Sequence, residues 1–176
     1  MSEKSFIYHQ VPEQMQGDVL HPLNDLQKIH PEVYAREVAK YSGREHVMEE
    51  EIPPLNARWN DVLHFSAVHP AEIKESLSDA GHSSPPDIEV FEIDAHLLKP
   101  ENTIVYLPKI GGQGSFVEFD PRKIAGYAVI PEETKDYYRR MIAKGKNPLT
   151  FLGVPHIFYK GSLDVSKVRK IKTGSR

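Results

Sequence analysis

His64 and Ser66 stand two apart in "LHFSAVHP". On an extended strand residues i and i+2 share a face, so an imidazole and a hydroxyl would point the same way and could meet one polar ligand. A serine hydrolase would instead need the serine on a strained elbow beside a base, and no G-x-S-x-G surrounds Ser66. The plainer alternative is a solvent-facing histidine and a serine near a helix start. His156 poses the same question in "PHIFYKGSLDVSKVRKI", where it occupies the polar start of a strand. It is either a structural residue at the mouth of that strand or a group placed there to do chemistry.

The chain has 9 histidines and no cysteine. The histidines form no known ligand spacing: there is no H-E-x-x-H and no His-x-His, and His64 and His69 straddle a strand-to-helix junction. No metal is expected, and most of these imidazoles read as loop residues or partners of backbone groups. Arg44 in "GREH" and Arg58 in "ARWND" could each clamp a phosphate or carboxylate in bidentate fashion. Trp59, the only tryptophan, is followed by Asn60 and Asp61; polar neighbours around one large aromatic suit the lip of a site. "KIGGQGS" is glycine-rich but lacks the Lys-Ser/Thr of a phosphate-binding P-loop, so it reads as a hairpin connection. The acidic run Glu49-Glu50-Glu51 reads as a solvated face. The basic residues Lys167, Arg169, Lys170, Lys172 and Arg176 could touch nucleic-acid phosphates, a weak signal on a chain of net charge −3.

These residues need a scaffold, and composition allows one. With 176 residues, 39% hydrophobic and 27% charged, the chain can bury a core and is expected to form a single domain over residues 1–176. The absent cysteines rule out disulfides, thiolate nucleophiles and Cys-ligated metal in this chain, which fits a cytoplasmic protein. No stretch approaches the ~18 apolar residues of a membrane span, and the first residues lack the apolar core of a signal peptide.

Residues 5–9 read as a strand. Leu20, Leu23, Leu26 and Ile29 make one helical stripe, interrupted by Pro31; Tyr34, Val38 and Tyr41 make a second, with Gly43 as its stop. Residues 47–52 read as a strand, as do 61–66. Pro70 opens a helix whose apolar face is Ile73, Leu77 and Ala80, closed by Gly81. Strands follow at "IEVFEID" and Thr103–Leu107. "PEETKDYYRRMIAKGK" is the best helix, with acids in its first turn and bases later. Strand–turn–strand, turning at Lys160-Gly161, ends the chain. Strands outnumber helices in irregular order, which predicts an α+β fold of small mixed or antiparallel sheets with three to four helices.

Taken together, "IYH" (Tyr8-His9), "LHFSAVHPAEI" and "HIFYKGSLDVSKVRKI" resemble, in order and spacing, the motifs of the ADP-ribosyltransferase-like fold. The likeness is to the branch holding the DNA-modifying toxin enzymes and, more distantly, the RNA 2′-phosphotransferases. "VFEIDAHLLKPENTIVY" is similar to the strand–turn–strand between the second and third motifs. The matches cover about half of the chain, and the pattern also resembles small uncharacterised bacterial proteins. The resemblance implies an enzyme, or a non-catalytic member of the fold, that binds NAD, a nucleotide or a nucleic-acid phosphate. His9 would hydrogen-bond a sugar hydroxyl, with Tyr8 beside it. His64 and Ser66 would line the pocket, and Arg44 or Arg58 would meet phosphates. His156 stands where the family carries a catalytic glutamate. A neutral imidazole there can bind a hydroxyl but supplies no negative charge for an oxocarbenium-like transition state. A cationic one would instead suit a transferring phosphoryl group. An unrelated α+β domain with structural histidines is the remaining reading.

Overall fold

The structure is a computed structural model and describes residues 5–173. In chain order its elements are β1 (Phe6–Gln10), β2 (Val19–Leu20), α1 (Leu23–Ile29), α2 (Pro31–Ala39), β3 (Glu51–Ile52), β4 (Ala57–Arg58), β5 (Leu63–Phe65) and α3 (Pro70–Asp79). There follow β6 (Glu89–Asp94), β7 (Thr103–Leu107), β8 (Ser115–Glu118), α4 (Glu132–Ala143), β9 (His156–Tyr159), β10 (Leu163–Asp164) and β11 (Arg169–Lys172). Short 3₁₀ turns punctuate the connections. The class is α+β, with all strand pairs antiparallel.

Two sheets carry the architecture. One runs β1-β6-β11 and the other β5-β9-β7-β8, so β1 and β5 are both edge strands. The edges meet at a single antiparallel bridge, Tyr8 to Ser66. It is made by Tyr8 N–H to Ser66 C=O at 2.8 Å and Ser66 N–H to Tyr8 C=O at 3.0 Å. Period-two alternation then sorts the side chains. Ile7, Phe91 and Ile93 of the first sheet, and Leu63, Phe65, Val105 and Ile157 of the second, share the main core. The opposite face of the four-stranded sheet carries His64, Phe158, His156, Ile104 and Tyr106. Phe158 is buried there beneath Ile52, Leu55, Ala57 and Val62, which come from the segment around β3 and β4.

The helices follow their local chemistry. Proline at the first position pre-sets φ and loses no intrahelical hydrogen bond, and it opens both α2 (Pro31) and α3 (Pro70). Pro131 instead caps α4 from outside. Ile73 and Leu77 of α3 pack with Tyr138 of α4 in a second core. The Tyr138 hydroxyl donates to the Thr150 carbonyl and the Thr134 hydroxyl to the Leu152 carbonyl, so the loop after α4 is tied back to the helix.

Two expectations change. Leu20 belongs to no helical stripe: it is buried in β2, because Pro22 cannot continue a helix backward and caps α1 instead. Residues 47–52 form a 3₁₀ turn and only a two-residue strand; Pro53 and Pro54, which lack an N–H for a ladder, stop it. The final strand–turn–strand is present as expected, but its two strands do not pair with each other. Gly161 takes φ +149°, a region open to glycine, and the chain leaves the sheet, so β10 pairs with β2 and β11 with β6.

Candidate functional site

β9 lies between β5 and β7, and its register sets His64 opposite Phe158 and Tyr106 opposite His156. His64, His156 and Tyr106 therefore share the outer face of the sheet. The His64 and His156 ring centroids are 6.4 Å apart. Trp59, on the 3₁₀ turn Trp59–Asp61 just before β5, lies 4.7 Å from the His64 ring and 5.9 Å from the His156 ring. Tyr106 stacks beside His156 at 6.3 Å. His9, on the far side of the split, sets its ring 5.5 Å from Phe65, the residue next to His64. Strand geometry thus brings two histidines and one tryptophan together on the outer face, while the third histidine packs on Phe65 from the core face, within electrostatic reach of His64.

Hydrogen bonds fix what these rings can offer. His64 Nε2 lies 2.7 Å from the Trp59 carbonyl. A carbonyl only accepts, so Nε2 carries the proton and Nδ1 is left as an acceptor. His9 Nδ1 likewise donates to the Gln10 carbonyl at 2.7 Å, leaving Nε2 as an acceptor. The His156 ring makes no hydrogen bond among the described residues. All three residues keep partial surface access, yet packed atoms enclose their rings and disfavour the charged form. Burial pushes His156 down to about 4. Burial, then the neighbouring His156, pushes His64 down to about 3, against the opposing pull of the Trp59 carbonyl. Burial also lowers His9, partly offset by its bond to Gln10 and by Glu37. At neutral pH the cluster is a set of uncharged, acceptor-rich imidazoles beside an indole and a phenol.

The remaining candidates lie elsewhere. Ser66 is buried, its hydroxyl accepting from Val68 N–H at 3.1 Å and its backbone closing the bridge to Tyr8. It clasps the two sheets through this bridge, and its hydroxyl is engaged by Val68 rather than by His64. Arg44 lies over the Tyr41 ring and donates to the Lys40 carbonyl. Arg58 is ion-paired with Glu49 at 2.7 Å. Neither arginine touches the imidazoles. Asn60 is 4% exposed, with its Oδ1 lacking a partner among the described residues. Tyr8 faces away from the cluster, against His69 at 5.2 Å. Sequence reading overlooked Tyr106 and Phe158; their strand period pointed to a face, but only the register shows that it is the face of His156.

A dinucleotide tests this arrangement in two halves. The uncharged rings fit a planar heterocycle and sugar hydroxyls, since a hydroxyl can donate to His9 Nε2 or His64 Nδ1. The diphosphate finds neither predicted arginine at the cluster. Among the described residues no group of three or more His, Cys, Asp or Glu is placed to hold a metal ion, and no helix is long and apolar enough to cross a membrane. Comparison with protein families, curated proteins and solved structures finds no match to this chain.

Proposed function

We propose that this chain is an ADP-ribosyltransferase-like protein that binds the nucleoside end of NAD or of another nucleotide at the split between β1 and β5. One observation carries the reading. Among the described residues, two edge strands from different sheets are bridged only at Tyr8–Ser66, and the flank beyond holds His64 and His156 with Trp59 on the outer face and His9 against Phe65 on the other. Neutral imidazoles would accept sugar hydroxyls, while Trp59 and Tyr106 offer faces for a ring. His156 in place of a carboxylate supplies no negative charge to a developing oxocarbenium ion, so this reading is one of binding rather than ADP-ribosyl turnover.

A second reading, phosphoryl transfer, rests on the same close pair. A phosphate dianion entering beside His64 and His156 would favour their protonated forms, and an imidazolium can stabilise a transferring phosphoryl group.

Trp59 is the only tryptophan, so its fluorescence reports on this flank alone. Titration with NAD should change the emission of the wild-type protein, and His156→Ala should remove that response while the thermal midpoint and far-UV spectrum stay near wild type. Parallel incubation with labelled NAD and with 2′-phosphorylated RNA separates binding from turnover. Silence of Trp59 toward NAD, mononucleotides and RNA ends alike would sink the proposal.

A further inference from the structure

The opposite flank of the Tyr8–Ser66 bridge has chemistry of its own. Residues preceding Tyr8 and residues following Ser66 border a cavity of about 500 Å³, within the size range of small-molecule pockets. Tyr8, His69, Glu72 and Arg122 line it over an apolar floor that includes Ile124 and Ala125. The polar groups are unspent. His69 Nδ1 accepts from Ala71 N–H at 3.1 Å, which leaves Nε2–H as a donor with no partner among the described residues. The Glu72 carboxylate and the Tyr8 hydroxyl make no hydrogen bond there either. Burial first, then Glu92 and Glu72, raises the Tyr8 phenol to about 12, so it stays protonated and can donate. Arg122 at the rim binds Asp120 through Nε and one terminal nitrogen, at 3.0 and 2.9 Å, and its other terminal nitrogen, Nη1, is free among the described residues.

The cavity thus offers two carboxylate acceptors beside two fixed donors, with an aromatic wall and a cation at the edge. Among the common bases, guanine presents the complement. Its ring N–H and exocyclic amine can give a carboxylate two parallel hydrogen bonds, and its carbonyl and N7 accept from neighbouring donors. Adenine and cytosine place a ring acceptor beside the amine, where a carboxylate repels it, and uracil has one N–H between two carbonyls. We infer that this cavity binds a guanine base, with Glu72 reading the donor edge, His69 and Tyr8 the acceptors, and Arg122 meeting the attached phosphate. The site is separate from the imidazole flank and does not depend on the reading given to it.

The test is amide NMR on the whole chain with GMP, AMP and UMP, and with single-stranded oligothymidine containing one guanine or one adenine. GMP should shift the amides of Ala67, His69, Glu72 and Ala125 without altering Trp59 fluorescence, and AMP and UMP should bind at least tenfold more weakly. Glu72→Gln, which leaves one acceptor, should lower GMP affinity by tenfold or more at an unchanged thermal midpoint; Tyr8→Phe should lower it less. Shifts with GMP assign a free nucleotide as the ligand, and shifts only with the guanine-bearing oligonucleotide assign a nucleic-acid base. No shift with either, equal binding of AMP, or full affinity in Glu72→Gln overturns the inference. Shifts confined to the His64 and His156 region overturn it while leaving the imidazole flank as a nucleotide site.

Discussion

The two flanks of the Tyr8–Ser66 bridge are built from adjacent residues and differ in every chemical respect. His9 and His64 on one side are uncharged acceptors enclosed by aromatic rings. Tyr8 and His69 on the other are donors beside an exposed carboxylate, with a cation at the rim. The first flank packs its imidazoles among rings while leaving them partial surface access, and the second borders a cavity. The difference follows from position along the strands: in the antiparallel bridge, residues after Tyr8 run beside those before Ser66 and residues before Tyr8 beside those after Ser66, so a single clasp between two edges separates the two groups. A site built this way can present contrasting chemistries within a few residues, and each can be altered without touching the other.

The sharpest break of that contrast is Phe158→Ala. Phe158 is 1% exposed, and its ring lies 4.9 Å from His64 and 5.2 Å from Trp59. Truncating a buried phenylalanine costs about 3–5 kcal/mol. Denaturant unfolding should show a loss of that size, and Trp59 emission should shift to the red as water reaches it. Amide shifts at His69 and Glu72 should stay in place. A change spread equally over both flanks would mean that they are one cooperative unit. Ser66→Ala should act more weakly but on both sides. It leaves the buried Val68 N–H without its acceptor, at about 1–3 kcal/mol, and loosens the clasp that the two flanks share. Hydrogen exchange at the Tyr8 and Ser66 amides should accelerate together; acceleration at one alone would refute a shared clasp.

Much of this arrangement was legible in local pattern. Prolines at positions 31 and 70, the Ile73/Leu77 stripe and the alternation of Thr103–Leu107 each reflect forces acting within a few residues, and the elements appear where those forces put them. Partner choice was not legible. Nothing near "YKGSLDV" says that β10 will pair with Val19–Leu20, since that pairing depends on a chain segment some 140 residues away, as the bond between His21 and Ser162 illustrates. The candidate site was readable to the same depth. His64 and His156 stood out by type and by strand position, but their 6.4 Å approach needs the β5-β9 register. Arg44 and Arg58 were chosen for chemistry alone, and nearer partners, the Tyr41 ring and Glu49, hold them. Ser66 was paired with His64 by strand period alone, and local partners, Val68 N–H and the Tyr8 backbone, hold it.

Acid titration offers the gentlest probe of the contrast. His64 and His156 have folded values near 3 and 4, below the ~6.5 of an unfolded histidine. Between these limits the unfolded chain binds more protons than the folded one, so stability rises with pH across this window. The contribution is complete above pH ~6.5 and is lost as pH falls through 4 and then toward 3. Carboxylates such as Asp120, held down to about 2 by Arg122, add to the same acid loss, so the informative quantity is a difference between variants. His156→Asn removes one such imidazole and also relieves the repulsion that lowers His64. Its thermal midpoint should therefore fall less than that of the wild type between pH 7 and pH 4. Tyr8→Phe, on the other flank, should keep the wild-type slope, because its phenol is protonated throughout that range. Parallel slopes for wild type and His156→Asn would mean that the imidazoles are not buried as neutral groups, and the chemical contrast between the two flanks would then fail at its source.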